Sequence, residues 1–462
     1  MRLPFLDREN EKARLQRAFT SNESAFCCLY GRRRCGKSRL LQETLRHRTS
    51  VYYVADEREP TLQRAALAAA MEPVLPGFSA VEYPDWDSLF QRWWNDAPPG
   101  VVLALDEFPY LARASSELPS LLQRLVDQNR ASPLHLVICG SSQRMMHGLV
   151  LDATAPLYGR AREILHIQSL GAAWIGKALK TSKPAEIVEA YSIWGGVPRY
   201  WELAGEYRNS WQAVEELVLD PLGVLHNEPR RLLLDDLRET AQAASILSLI
   251  GQGCHRMSEI AGRLAKPATS LTRPLARLLE LGLIRREQPF GASPRSSKKT
   301  LYRIDDPFLA FWFRYVEPNR SRLESGMVKP VKKAILNQFG SHRGEIWEHL
   351  VRRAFDHLEL EGVEWLPAQR WWGTGADRKP LEVDVVSESE DGRFLLVGEV
   401  KSLLDVRKLA IAERELEQKT QRLPFKDDYQ EVLTRVFYLE ARKLKGKGKN
   451  WIGGDHILSV LK

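Results

Sequence analysis

Along the first third of the chain, short apolar runs alternate with stretches whose apolar residues recur at helical spacing. The runs are FCCLY, VYYVAD (51–56), VVLALDE (101–107), HLVICGSS (135–142) and ILHI (164–167), rich in β-branched or aromatic residues. Helical stretches such as LPSLLQRLVDQNR (118–130) separate them. This alternation predicts an α/β architecture, a parallel sheet covered on both faces. Residues from about 169 to 240 read as helical, as in AEIVEAYSIW and WQAVEELVLD. Residues 246–287 then hold three helical segments, followed by a basic loop, PFGASPRSSKKT, and a strand, LYRI. That order is the layout of a winged helix-turn-helix. The polar stretch EPNRSRLESGMVKP (317–330) predicts a hinge, and beyond it come a helix, GEIWEHLVRRAFDHL (344–358), and further strands.

The composition narrows the class. The chain has 462 residues and is 44% hydrophobic, enough for a sizeable core. No apolar run approaches the ~18 residues that span a bilayer. The opening MRLPFLDREN lacks the apolar segment of a signal peptide, so the expected location is cytoplasmic, with no membrane partner. Five cysteines show neither metal-ligand nor disulfide spacing. Cys27, Cys28 and Cys139 sit in apolar runs, while Cys35 lies in a glycine-bounded loop as a possible oxidation-sensitive thiol. The net charge of +8 is compatible with a polyanionic partner and does not require one.

The sharpest pattern is GRRRCGKSRLL (31–41), directly after the first apolar run. A solvated basic turn would account for the arginines. The spacing instead fits the phosphate-binding loop G-x-x-x-x-G-K-[ST]. Its candidate nucleotide contacts are Gly31, Arg32, Arg33, Arg34, Cys35, Gly36, Lys37, Ser38 and Arg39. The glycines let backbone N–H groups face phosphates, Lys37 reaches the β- and γ-phosphates, and the Ser38 hydroxyl holds Mg²⁺. Asp106 and Glu107 end the run VVLALDE, where acids are costly unless used. Asp106 would support Mg²⁺ and Glu107 would activate water. The chain lacks the guanine-reading N-K-x-D motif, which favours ATP over GTP. Ser141 or Ser142 either meets the γ-phosphate or attacking water, or simply ends a core strand. Arg160 is a candidate arginine finger or sensor, or a solvated, ion-paired residue.

Taken together, YGRRRCGKSRLL, LDEFPYL, CGSSQRM, PLYGRA and WGGVPRYW resemble the archaeal-type ATPase family, a branch of the AAA+/STAND P-loop ATPases. LYRIDDPFLAFWFRYV resembles that family's winged-helix region. The resemblance implies an ATP-driven switch with a helical lid, and it favours Arg160 as a γ-phosphate sensor. It also implies that Gly195, Gly196 and Pro198 lie near the adenine; the residues alone read as a helix end and a proline stop.

In the winged-helix segment, about Ser270 to Leu281 would be the recognition helix, with Leu271, Leu275, Leu278 and Leu279 facing the core. That leaves Thr272, Arg273 and Arg277 outward, with Arg295, Lys298 and Lys299 on the wing. These residues would meet DNA phosphates or a groove. The alternative is a winged helix that packs on the ATPase and reports nucleotide state.

The segment LEVDVVSESEDGRFLLVGEVKS reads as a hairpin. Side-chain alternation puts Glu382 and Asp384 on one face of its first strand, and Glu399 and Lys401 on one face of its second. Two carboxylates can hold Mg²⁺ while a lysine polarises the water that attacks a phosphodiester. The pattern resembles the PD-(D/E)xK nucleases, with Glu348 on the preceding helix as the additional acid. Glu382 stands where that superfamily often has proline. The alternatives are an exposed Glu–Lys pair or a degenerate domain that only binds DNA. Trp371 and Trp372 would support nucleic acid or fill the core.

The expected organisation is a P-loop ATPase core (1–168), a helical lid (169–240), a winged helix (241–318) and a nuclease-like mixed α/β domain (325–462). The expected activity is ATP hydrolysis coupled to a Mg²⁺-dependent nuclease-like domain acting on DNA, and the expected partners besides DNA are a second copy of the chain or another protein. The competing reading is a non-nucleolytic signalling or assembly switch.

Overall fold

The computed structural model describes residues 3–129, 134–237, 240–293, 299–442 and 450–461. The chain divides into two compact units. Phe5–Ser169 builds the first, and Leu170–Leu233 with the described chain from residue 240 onward builds the second.

The first unit holds the strands β1 (Ala25–Tyr30), β2 (Ser50–Val54), β3 (Val102–Asp106), β4 (His135–Gly140) and β5 (Glu163–His166). All pair in parallel, in the order β2-β3-β4-β1-β5. β1, β3 and β4 are buried along nearly their whole length, which is why their sequences are unbroken apolar runs. Trp86, Phe90 and Trp93 of the helix Trp86–Asp96 share one buried cluster with Leu103 and Leu105 of β3. In register, Leu105 faces Ile138 and Tyr30 faces Gly140. The carboxyl ends of β1, β3 and β4 therefore open on one edge of the sheet, where a parallel sheet presents its ligand-binding loops.

The second unit begins with the helices Ala172–Leu179, Pro184–Trp194, Pro198–Ala204 and Ser210–Val214. The helices Thr240–Gly251, Met257–Arg263 and Thr272–Glu280 follow, closed by an antiparallel hairpin of β6 (Ile284–Glu287) and β7 (Leu301–Ile304). Leu271, Leu275 and Leu278 are buried, while Leu279 is half-buried. The expected hinge at 317–330 is a correction. A short 3-10 turn (Glu317–Asn319), the helix Arg320–Glu324 and the start of the 27-residue helix Val328–Ala354 occupy it, all inside one unit. Leu323, Val331 and Ile335 anchor this polar stretch in the core. Its surface charge masks the sparse apolar period, so the long helix starts well before residue 344.

The rest of the second unit is a mixed sheet of β8 (Gln369–Thr374), β9 (Pro380–Glu388), β10 (Phe394–Asp405), β11 (Glu431–Arg442) and β12 (Trp451–Gly453). Their order is β12-β11-β10-β9-β8. β8, β9 and β10 are antiparallel neighbours, whereas β10, β11 and β12 run parallel. The helix Val406–Gln421 makes the crossover that a parallel β10–β11 pair requires. The Asp405 carboxylate caps it by accepting from the N–H groups of Arg407 and Lys408. After β6, the Phe290 N–H donates to the Arg370 carbonyl of β8 at 2.9 Å, tying the hairpin to the mixed sheet. No helix among the described residues is long and apolar enough to cross a membrane.

His342, on the long helix, is fully enclosed by Phe311, Tyr315 and Phe339, and its Nε2 lies 2.8 Å from the Ser192 carbonyl. Burial lowers its pKa to about 4. The unfolded chain therefore holds the extra proton between about pH 6.5 and 4, and stability falls as pH drops through that window. His342→Gln keeps a donor and removes the titration. Unfolding free energies from thermal melts at pH 7 and pH 5 should show a smaller acid-induced loss in the variant, by up to about 2 kcal/mol. Equal losses in both proteins would refute this.

Candidate functional site

At the edge where β1, β3 and β4 end, the sequence-predicted residues meet. Gly31 follows β1 at φ 145°, and a Cβ there would lie 2.3 Å from the Ile167 carbonyl oxygen, so no other residue fits. Gly36 caps the helix Lys37–Leu45 in the left-handed region, at φ 95°. Lys37 is only 4% exposed, and its ammonium donates to the carbonyls of Gly31 and Arg32 at 2.8 and 2.9 Å. The loop thus holds a cation across its own mouth. Arg33 donates to the Tyr110 hydroxyl at 3.4 Å, and Arg39 pairs with Glu43 one turn along the helix. Cys35 is 1% exposed and lies 3.8 Å from the Ser169 hydroxyl. Burial shields its sulfur, which corrects the expectation of an oxidation-sensitive thiol.

Asp106 is 2% exposed at the end of β3. It accepts from the Tyr52 hydroxyl at 2.5 Å and from the Glu107 N–H at 2.9 Å. Tyr52 also interacts with Ser38, so one phenol links the two groups expected to hold Mg²⁺. Burial and the Asp106 carboxylate both push the Tyr52 pKa up, keeping it a proton donor. Glu107 sits in the left-handed region at φ 52°, a strained conformation for glutamate. Its carboxylate accepts from the Ser141 hydroxyl at 2.8 Å, across the β3–β4 boundary. Lys37, Ser38, Asp106, Glu107 and Ser141 therefore form one constellation. The donor set of Ser38 and Asp106 suits a hard divalent cation.

Arg160 is not drawn into it. Its guanidinium donates to Asp127 at 2.9 Å and to the carbonyls of Pro156 and Tyr158. Gly195 and Pro198 belong to the second unit. There Gly195, at φ 58°, packs against Pro307 and Asp306 and accepts from the Trp201 indole at 2.8 Å, while Pro198 starts a helix.

The second unit carries its own acidic centre. The Asp384 carboxylate on β9 accepts from the Val400 N–H of β10 at 2.9 Å. Glu399, 5% exposed, receives the ammonium groups of both Lys401 at 2.8 Å and Lys419 at 2.7 Å. Glu348, on the long helix, lies 3.8 Å from Arg352, which donates to the Asp384 carbonyl at 2.9 Å. Burial, then Asp384, raises the Glu348 pKa to about 7. Burial, then Glu399, raises that of Asp384. A cation between Glu348 and Asp384 would relieve this repulsion. Glu399 fits that role less well, because two lysines already neutralise it. Among the described residues, no three His, Cys, Asp or Glu side chains form a ready-made metal cage. Glu382 points elsewhere and pairs with Arg370. Trp371 is buried in the core of the mixed sheet.

Of the residues expected to meet nucleic acid, Arg273 and Lys299 are exposed, and Arg277 pairs with Glu280 at 3.0 Å. Arg295 and Lys298 lie outside the described residues.

A parallel sheet with a phosphate-binding loop after β1 and paired acids after β3 is the fold of a P-loop ATPase. Residues 5–203 match the family described as an ATPase domain predominantly from Archaea. Residues 312–409 match a family of archaeal and bacterial proteins of unknown function. An uncharacterized protein of Methanocaldococcus jannaschii is 30% identical over 456 residues, covering 96% of this chain and 97% of that one. The chain belongs to the archaeal-type ATPase family. A Walker-type ATPase of Pyrococcus abyssi shares the fold, with a TM-score of 0.52 and 22% identity over 67% of this chain and 96% of that one.

Tyr52 and Lys419 escaped the sequence reading. Tyr52 sits in VYYVAD, one of two adjacent tyrosines, and only the β2–β3 pairing brings it to Asp106. Lys419 lies on a helix with no motif around it, and only the crossover brings it to Glu399. Tyr52→Phe should remove a donor that competes with metal for Asp106. The Mg²⁺ concentration giving half-maximal ATP hydrolysis should fall about fivefold, the worth of one hydrogen bond. A rise in that concentration would show that the phenol helps to hold the metal site.

Proposed function

We propose that ATP binding and hydrolysis at the Lys37 loop switch a Mg²⁺-dependent, nuclease-like centre that acts on DNA. In the first unit Lys37 leaves the loop carbonyls for the β- and γ-phosphates, and Ser38 and Asp106 hold the metal. Bound Mg²⁺ neutralises charge on the transferring phosphate. Glu107, released from Ser141, orients and deprotonates the attacking water. Arg160 would sense the γ-phosphate only after leaving Asp127, and Gly195 with Pro198 would serve the adenine.

In the second unit Asp384 and Glu348 would hold Mg²⁺, with Glu399 joining once a lysine moves away, and Lys401 would polarise the attacking water. The convergence of Asp384, Glu399 and Lys401 from two neighbouring strands is the observation that carries this half. The three helices and hairpin from Thr240 to Ile304 read as a winged helix. Its Arg273, Arg277 and Lys299, with Arg295 and Lys298, would meet DNA phosphates. The protein would work in the cytoplasm, as a homo-oligomer or with a partner protein. One observation favours a second reading: Lys401 and Lys419 together neutralise Glu399. On that reading the domain binds without cutting, and the ATPase acts as a signalling or assembly switch.

Lys37→Ala should abolish tight ATP binding with the fold intact. Glu107→Gln should bind ATP yet hydrolyse it at least a hundredfold more slowly, the usual worth of a positioned base. Wild-type turnover in Glu107→Gln removes that assignment. With Mg²⁺ and DNA, cleavage should vanish in Asp384→Asn and in Lys401→Ala. If the wild type cuts no DNA with or without ATP, the switch reading replaces the nuclease.

A further inference from the structure

Glu399 is buried in β10, and an ammonium sits on each of its oxygens. Lys401 Nζ lies 2.8 Å from Oε1, and Lys419 Nζ lies 2.7 Å from Oε2. The two lysines reach it from different places. Lys401 follows Glu399 by two residues on the same strand and shares its face. Lys419 comes from the last turn of the crossover helix Val406–Gln421. That helix is fixed in place. Its Leu409, Ala412 and Leu416 are buried in the core of the mixed sheet, and the Thr420 hydroxyl, next to Lys419, donates to the Leu416 carbonyl at 2.7 Å. The part that can swing is the four-carbon stem of Lys419, which is partly open to solvent.

A divalent cation and an ammonium compete for such an oxygen. Both draw on its negative charge, and they repel each other when only a few ångström apart. Asp384 shares this field, since Glu399, Lys419 and Lys401 all act on its charge. A metal held by Asp384 and Glu399 would therefore stand against Lys419 until that ammonium leaves. The helix offers it somewhere to go. Glu415, which is exposed, precedes Lys419 by four residues, the spacing and order at which a glutamate and a lysine pair along a helix. The charge of Glu415 also reaches Lys401, so this glutamate stands at the rim of the same centre. The last carbonyls of the helix favour a cation there as well.

We infer that Lys419 is a positioning residue that stands in for a divalent cation at Glu399. With its ammonium on Oε2 the metal site is incomplete. With the ammonium turned toward Glu415, Glu399 becomes a ligand beside Asp384, and the carboxylate oxygens suit a hard cation. The inference rests on the reading of Asp384, Glu348 and Glu399 as a Mg²⁺ site and names the residue that gates it. Lys401 keeps its place on the strand in both states. The exchange is reciprocal: whatever draws Lys419 away tightens the metal, and a bound metal releases Lys419.

The test uses the full chain without nucleotide and Mn²⁺ as the probe, with the free ion counted by electron paramagnetic resonance. Every protein carries Asp106→Asn, which takes the candidate metal ligand of the ATP site out of the count. Lys419→Met removes the ammonium and keeps the length of the stem. It should bind Mn²⁺ about tenfold or more tightly than its parent, a modest share of the repulsion between an ammonium and a dication a few ångström apart. With Glu399→Gln also present, the same substitution should gain about twofold at most, because the ammonium acts through that carboxylate. Cooperative thermal unfolding checks that each variant is folded; where Lys419→Met is not, Lys419→Gln takes its place. A lysine that merely supports the fold would not raise Mn²⁺ affinity when removed. Unchanged or weaker binding in Lys419→Met overturns the inference. So does a gain equally large with Glu399→Gln, since the lysine would then act by its field alone. The outcomes separate the claims. If the parent binds Mn²⁺ and Lys419→Met does not tighten it, the gate fails and the metal reading stands. If neither binds Mn²⁺, both fail. If the gain appears and no DNA is cut, the nuclease reading fails and the Lys419 gate stands.

Discussion

A carboxylate buried within or at the end of an apolar strand must be given partners, because leaving it bare costs several kcal/mol. This constraint organises both units. In the first, Asp106 ends a fully buried strand and is satisfied by the Tyr52 hydroxyl and a backbone N–H. In the second, Glu399 is satisfied by two lysines and Asp384 by the Val400 N–H. The partners differ in kind. Neutral donors leave Asp106 with its charge available to a cation, while ammonium groups cancel the charge of Glu399. The buried acid of the first unit is thus met by neutral donors, and Glu399 of the second by its own cations.

Sheet topology decides which partners arrive. Inserting β4 between β1 and β3 sets Ser141 beside Glu107, so the acid expected to activate water is turned toward a hydroxyl. Placing β2 outside β3 sets Tyr52 beside Asp106. In the mixed sheet the antiparallel β9–β10 pair brings Asp384 to Val400, and the parallel β10–β11 pair needs a crossover helix, which delivers Lys419. Each supporting residue arrives from a strand or helix remote in sequence from the motif it serves.

The long helix Val328–Ala354 links several of these roles in the second unit. It buries both His342 and Trp347, and it presents Glu348 and Arg352 one turn apart. Reading residues 317–330 as a hinge missed a short 3-10 turn, a one-turn helix and the first residues of this long helix, whose apolar positions are few. Charge on a long helix reflects solvent on one face and says little about whether the segment is ordered.

Local patterns were enough to define the P-loop after β1, the paired acids after β3, the parallel sheet and the hairpin that carries Asp384 and Glu399. Each rests on contiguous residues whose spacing carries its own stereochemical reason: glycines at positive φ, alternation along a strand, apolar runs in a doubly covered sheet. Tertiary structure alone decided the rest. It tied Arg160 to Asp127, joined Tyr52 to Asp106 and turned Lys419 onto Glu399. A side chain's partner across the fold depends on strand order and helix docking. No window of neighbouring residues encodes these, because they follow from how all the apolar surfaces are buried at once.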